Sequence, residues 1–487
     1  MAMRLSTGVE SLDAVLRGGL LPGQVYLVRG QPGSGKTTLA MQFLQAGVLQ
    51  GEPALYITLA ETEAQLRMAS ASHGWGLDGI QILDIRPGHR DLSPDSQYTI
   101  FHPADVEMTP VTRSITEAME QLKPTRVVFD SLTELRLLTR DLSRYRMQAL
   151  ALIDFLTAQG TTTLFLGESG HPELDVEITP IVQGVISLSL SVGDDGLERR
   201  SLRVEKYRAS EYHPGQHSLR IVRGGLQVFP RLLIPEQGRE FETQAVQSGN
   251  AELDEMLGGG LDKGTSTLLV GNSGCGKTTL GVRFLATSAE RGERAVLYTF
   301  DEEPHTIAHR LEAMGMPIWG PLEQGLLHIR KVNPKGLYPD EFACWVQEEV
   351  EERGTRMVMI DTLNGFGLCM DNLDSFLGHL QQLVNWLRGQ GVSLILAHEL
   401  ANVTGDLVMN PTAMSYITDT VILLKNFESR SEVRWAIGVL KKRLTAHEKQ
   451  FREYTLSSKG LQIGERLAVR GGILQGQAES DSEATMG

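Results

Sequence analysis

The chain has 487 residues, 41% hydrophobic and 22% charged, a globular composition long enough for about two to four domains with cores of their own. Its formal net charge of −14 argues against a nucleic-acid partner, because sequence-independent binding needs Lys and Arg to neutralise phosphates. The three cysteines, Cys275, Cys344 and Cys369, form no CxxC pair, which argues against a disulfide framework or zinc ribbon and fits a reducing compartment.

The N-terminal MAMRLSTGVESLD lacks the apolar stretch of a signal peptide. No run of about 18 apolar residues is available to span a membrane. A soluble, cytoplasmic protein without membrane contact is the expectation.

In chain order, TGVESLDAVLRGGLLPG (7–23) leads into the short β-rich run QVYLVRG (24–30), which stops at glycine. GQPGSGKTT (30–38) follows, and then TTLAMQFLQAGVLQ, with Leu39, Phe43, Leu44 and Val48 at helical spacing. ALYITL, RVVFD and TTLFLGE (ending at Glu168) are further short apolar runs, as strands buried on both faces of a parallel sheet require. MQALALIDFLTAQG (147–160) precedes the last of them with a helical period closed by glycine.

The same series then starts again. SGNAELDEMLGGGLDKG (248–264) and GNSGCGKTT (271–279) repeat the opening, with Lys36 and Lys277 standing 241 residues apart. VLYTFDEEPH (296–305) repeats ALYITLAETE (54–63), and RMVMIDTLNG (356–365) repeats RVVFDSLTE (126–134). FLGHLQQLVNWLRGQG (376–391) and VSLILAHE (392–399) complete the second copy. Strands alternating with helices, twice, imply an α/β protein of two tandem P-loop NTPase domains, each a mostly parallel sheet flanked by helices. The expected division is a first domain at 1–235, a polar linker at 236–247, a second domain at 248–465 and a flexible acidic tail at 466–487.

Each GxxxxGK[ST] motif sits between a strand and a helix, the context in which it binds nucleotide phosphates. Gly30, Gly33, Ser34 and Gly35, and Gly271, Gly274, Cys275 and Gly276, supply a loop whose amides can turn inward. The helix N-terminus adds partial positive charge. Lys36 and Lys277 reach the β- and γ-phosphates, Thr37 and Thr278 are candidate Mg²⁺ ligands, and Thr38 and Thr279 follow them in the helix. Asp130 and Asp361, at the ends of buried runs, can hold that ion through water. Asp301 and Glu302 in the second half, and Glu61 in the first, are candidate groups for orienting or deprotonating an attacking water; Asp301 is also a candidate metal ligand.

These openings, the acidic pair, the Asp-Ser and Asp-Thr strand ends, SYITDT (415–420) and the strings Lys206-Tyr207-Arg208 and Lys441-Lys442-Arg443 resemble the KaiC family of double-domain RecA-like ATPases, over about residues 3–465. No zinc motif precedes the first domain, unlike the RadA-type recombinases.

The resemblance implies a homohexamer of two stacked rings, with MgATP between subunits and Lys206, Tyr207, Arg208, Lys441, Lys442 and Arg443 acting on a neighbour's nucleotide. It implies base or sugar contacts at Ser72 and Met314, a nucleotide contact at His213, and partners that are KaiB-like or other signalling proteins. It further implies slow hydrolysis in the first ring, and self-phosphorylation in the second on an adjacent Ser-Thr pair, here Ser415 and Tyr416. Tyrosine in place of threonine departs from the family, as does Ala60, where the family has the first of two glutamates; Asp301 stands there in the second half. Three functions remain open at this point: a signalling or timing ATPase and autokinase, an ATP-gated scaffold without self-phosphorylation, and a RecA-type DNA motor.

Overall fold

A computed structural model describes residues 3–86, 109–137, 142–170, 178–193, 196–233, 244–370, 372–400, 414, 416–429, 432–467, 469–470 and 479–480. The chain divides into two compact units, Met1–Arg231 and Leu232–Gly487.

In the first unit the strands are β1 (Val25–Gly30), β2 (Ala54–Thr58), β3 (Ile80–Asp84), β4 (Arg126–Asp130), β5 (Thr162–Glu168), β6 (Gly184–Val192), β7 (Glu198–Tyr207), β8 (Gln216–Val222) and β9 (Gly225–Phe229). They form one sheet in the order β3-β2-β4-β5-β1-β6-β7-β8-β9. Pairing is parallel from β3 to β6 and antiparallel from β6 onward. Every residue of β2 and β4 is buried, as the continuous apolar runs anticipated.

The antiparallel extension was not legible in the same way. ERRSLRVEKY of β7 is a strand with few apolar residues in a row, because half of it faces away from the core.

The second unit opens with a small antiparallel pair, β10 (Ala245–Val246) and β11 (Leu261–Asp262). Its sheet comprises β12 (Ser266–Gly271), β13 (Ala295–Thr299), β14 (Leu327–Lys331), β15 (Met357–Asp361), β16 (Ser393–Glu399), β17 (Thr420–Ser429), β18 (Glu432–Lys442), β19 (Arg452–Ser457) and β20 (Gly460–Arg466). Its order, β14-β13-β15-β16-β12-β17-β18-β19-β20, matches the first sheet strand for strand. The two nine-stranded, mostly parallel sheets with flanking helices are the tandem α/β architecture expected from the repeat.

Of the segment read as a linker, only residues 244–247 are described; Val246 is buried in the second unit's core, as is Leu232. Of the C-terminal tail, Val469–Arg470 pairs with Glu479–Ser480.

Each core has two layers, one on either sheet face. In the first unit Tyr56 and Val128 pack with the P-loop helix residues Leu39, Phe43 and Leu44, while Leu55, Ile57 and Phe129 face the helix Leu142–Ala158. The result places the carboxyl ends of β2, β4, β5 and β1 in one row, and likewise those of β13, β15, β16 and β12. Among the described residues, no helix is long and apolar enough to cross a membrane.

Candidate functional site: two phosphate cradles with different neighbours

The loop after β1 turns into the helix Lys36–Leu49, and the loop after β12 into the helix Lys277–Glu290. Each helix is capped by a left-handed glycine, Gly35 at φ 108° and Gly276 at φ 89°, a conformation that a side chain would strain. Lys36 Nζ donates to the carbonyls of Gly30 (2.7 Å) and Gln31 (3.1 Å); Lys277 Nζ donates to those of Gly271 (3.0 Å) and Asn272 (2.8 Å). Each lysine therefore folds back over its own loop. Burial lowers the pKa of Lys36, opposed by the charges of Glu168 and Asp130.

Asp130 and Asp361 end β4 and β15 and are both buried. Burial raises both carboxyls above the ordinary aspartate range. Their hydrogen-bond partners differ. In the second unit Thr278 Oγ1 donates to Asp361 Oδ2 at 2.6 Å. In the first unit Tyr56 Oη donates to Asp130 Oδ2 at 2.6 Å. Read from sequence, Tyr56 looks like the counterpart of Tyr298. The strand register says otherwise: Thr58 pairs with Asp130 and Thr299 with Asp361, so Tyr56 corresponds to Leu297. Tyr298 faces the opposite side of the sheet, where its hydroxyl donates to Trp345 O at 3.4 Å.

The acidic groups sit just past β2 and β13, held by a threonine that sequence reading passed over. Thr58 Oγ1 donates to Glu61 O (2.8 Å) and accepts from Glu61 N (3.0 Å); Thr299 Oγ1 does the same with Glu302 O (3.1 Å) and N (3.2 Å). Burial, reinforced by the Asp130 charge, raises the Glu61 carboxyl. In the second unit Thr362 Oγ1 donates to Asp301 Oδ2 at 3.2 Å, and Arg310 Nη1 donates to Glu302 Oε2 at 2.5 Å.

A cavity of about 500 Å³ opens over this second cradle, lined by Gly274, Gly276, Lys277, Thr278, Thr279, Asp301, Glu302, Arg310, Met314, Asp361, Glu399 and Leu456, among others. Glu399 and its first-unit counterpart Glu168, at the ends of β16 and β5, were missed from sequence, because a lone strand-end glutamate carries no motif.

The other expected residues fall into two groups. Thr279 Oγ1 lies 3.9 Å from Met314 Sδ. The matching contact in the first unit is made by His73, whose Nε2 is 3.5 Å from Thr38 Oγ1, rather than by Ser72, whose hydroxyl donates to Ala69 O within its own helix.

Lys206 Nζ donates to Thr179 O (2.6 Å) and Val182 O (2.7 Å), and Arg208 to Pro180 O (2.7 Å). Lys441 and Arg443 repeat this with Thr418 O (2.7 Å) and Tyr416 O (2.9 Å). Within one chain these four cations bind carbonyls of the loops beside them, and Arg443 also pairs with Asp419 at 3.6 Å. The residues between them point the other way, as strand alternation demands. Tyr207 is buried with its hydroxyl donating to Gly19 O (2.8 Å), and Lys442 is buried with Nζ donating to Leu257 O (2.6 Å). Both act in the cores rather than at a nucleotide surface.

Burial lowers the pKa of His213, with Arg17 and His217 adding to the shift, and its amide donates to Val15 O at 2.8 Å. Cys275 is buried. Tyr416 is 72% exposed, and Ser415 lies outside the described residues.

The donor set suits a hard divalent cation: a hydroxyl paired with a buried carboxylate, Thr278 with Asp361, beside a phosphate cradle. Among the described residues no cluster of three or more His, Cys, Asp or Glu could hold a metal by itself.

Comparison with known proteins accords with this geometry. The chain is 27% identical to the circadian clock oscillator protein KaiC of Thermostichus vulcanus, over 97% of this chain and 91% of the relative. It is 27% identical to that of Prochlorococcus marinus strain MIT 9313, over 94% and 92%. It is 25% identical to the circadian clock protein KaiC3 of Synechocystis sp. strain PCC 6803, over 99% and 97%. The KaiC ATPase family model matches twice, at residues 5–232 and 246–468, each match covering one sheet with its cradle. The chain therefore belongs to the KaiC ATPase family, as a KaiC-like ATP-binding protein with two tandem RecA-like domains.

Proposed function

We propose that the protein is an MgATP-dependent ATPase and autokinase that works as a two-ringed homohexamer with a signalling or timing role. The observation that carries this reading is the second unit's cavity, where a phosphate cradle, a Thr278–Asp361 pair and the acidic Asp301-Glu302 pair converge.

In that cavity Lys277 and the loop amides bind the phosphates. Mg²⁺, when bound beside Thr278 and Asp361, supplies positive charge to the phosphate oxygens. Glu302 accepts the proton of the attacking hydroxyl, from water or from Ser415, as its oxygen forms a bond to the γ-phosphorus and the bond to the ADP oxygen breaks. Asp301 shortens by one methylene the carboxylate that the family carries there and remains tied to Thr362.

The first unit has the cradle, Asp130 and Glu61, but Ala60 in place of the other carboxylate. It is the slower hydrolytic site, in which bound ATP chiefly holds the ring together. The pairs Lys206/Arg208 and Lys441/Arg443 serve the nucleotide of a neighbouring subunit, a reading supported by their shared placement on loop carbonyls at the ends of β7 and β18. KaiB-like or other signalling proteins are the partner class this reading implies, in a cytoplasmic setting.

A second reading is favoured by Tyr416. Its exposed phenol stands farther from the backbone than a threonine hydroxyl, so the protein could serve as an ATP-gated scaffold without self-phosphorylation. Incubation with MgATP and phosphosite mapping by mass spectrometry separates the two. Phosphate on Ser415 or Tyr416, abolished by Lys277→Ala, is expected; ATP consumption with no protein phosphate selects the scaffold.

A further inference from the structure

The two units provide an internal comparison at the acidic end of the site. The helices Glu63–Ser72 and Pro304–Ala313 begin and end at corresponding positions. Glu61 and Glu302 correspond and are clamped by the same threonine. Where the second unit has Asp301 and Arg310, the first has Ala60 and Ala69. The extra carboxylate and the extra guanidinium are present together in one site and absent together from the other.

Their geometry gives that coupling a purpose. Asp301, Glu302, Asp361 and Glu399 all line the second cavity, and Asp301 and Glu302 are adjacent in the chain. Lys277 Nζ donates to the carbonyls of Gly271 and Asn272, whereas Arg310 donates directly to one of these carboxylates. Arg310 Nη1 meets Glu302 Oε2 at 2.5 Å, with the two side chains 35% and 33% exposed. A pair this exposed adds little to fold stability. What it does is orient. The threonine clamp fixes only the glutamate backbone and leaves its side-chain torsions free; the guanidinium fixes the far end as well.

We propose that Arg310 is a positioning residue of the second site, holding the Glu302 carboxylate in one orientation against the repulsion of Asp301 so that it meets the attacking hydroxyl. The first site lacks this second attachment and loses the extra carboxylate that makes it necessary. The inference rests on Glu302 being the proton acceptor.

The test uses the full chain, taking the second unit's turnover as the part removed by Lys277→Ala. Arg310→Ala is expected to lower that turnover about ten-fold, as loss of an orienting partner commonly does, with nucleotide affinity within about two-fold of the parent. Arg310→Lys, which keeps the charge, is expected to recover much of the loss.

Unchanged turnover in Arg310→Ala overturns the proposal. So does an affinity loss that accounts for the whole effect, because that would make Arg310 a nucleotide contact. Glu302→Gln separates the two levels. If it leaves turnover intact, the reading of Glu302 itself fails; if it abolishes turnover while Arg310→Ala is silent, only the role of Arg310 falls.

Discussion

Tyr56 donates a 2.6 Å hydrogen bond to Asp130, whereas the corresponding position in the second unit is Leu297 and the corresponding carboxylate, Asp361, is bonded by Thr278. One carboxylate is thus restrained by a buried phenol and the other by the cradle's own threonine. Phe at position 56 would keep the packing and remove the donor. Tyr56→Phe is expected to weaken Mg²⁺-dependent nucleotide binding at the first site by about ten-fold, the usual scale for losing a partner that orients a metal-holding carboxylate. A Mg²⁺ titration of ATP-analogue fluorescence in a Lys277→Ala background checks it. An unchanged titration would make the hydroxyl a packing feature only.

Acid should slow the first site earlier than an ordinary glutamate would allow. Burial, then the Asp130 charge, raises the Glu61 carboxyl. A proton acceptor must be ionised, so turnover falls as pH drops through its raised pKa and is regained as pH rises above it. A pH–rate profile of the Lys277→Ala protein is expected to show an acid limb above about 4.3, the ordinary glutamate value. A limb at that ordinary value would remove Glu61 from the role.

In the proposed assembly the cations that bind loop carbonyls act across subunits. Arg208→Ala is expected to reduce first-ring turnover while leaving nucleotide affinity nearly unchanged, because a group that meets charge on the transferring phosphoryl contributes mainly in the transition state. Mixing Arg208→Ala subunits with Lys36→Ala subunits is expected to restore turnover above either preparation alone. No recovery, with sizing that shows mixed assemblies, would place Arg208 outside the reaction.

Fold stability offers a separate contrast. Arg126 is fully buried at the start of β4, bonded to Glu52, to Ser6 O (2.7 Å) and to Phe43 O (2.8 Å), with its guanidinium 4.9 Å from the Phe43 ring centroid. The corresponding residue of the second unit is Met357, in the apolar core. Removing the buried guanidinium leaves the partly exposed Glu52 unpaired and two backbone carbonyls without their donor, so Arg126→Ala is expected to cost about 3 kcal/mol in chemical denaturation. Arg126→Met with Glu52→Gln is expected to recover a large part of that. Equal losses in the two variants would mean that packing, rather than the stranded charge, sets the cost.

Much of this was present in the chain before folding. Two copies of GxxxxGK[ST], each between an apolar run and a helical period, determine the α/β class, the duplication and the two phosphate cradles. These are local patterns, and the phosphate-binding loop is made by neighbours in sequence. The strand-end Asp130 and Asp361 and the glutamates Glu61 and Glu302 were legible because the duplication displays them twice, and Asp301 because it stands next to Glu302.

What the chain order could not decide is what faces these carboxylates. Tyr56 and Tyr298 align by eye, yet a one-residue change of register turns one toward the cradle and the other to the far side of the sheet. Arg310 reaches Glu302 across eight residues and a turn, and His73, not Ser72, takes the place that Met314 has in the second unit. Tyr207 and Lys442 separate from their flanking cations because alternate residues of a strand leave on opposite faces. Sequence therefore determined that there are two P-loops in two repeated domains. Tertiary structure decided that they differ, because side-chain direction and strand register are settled only when the sheets and helices pack.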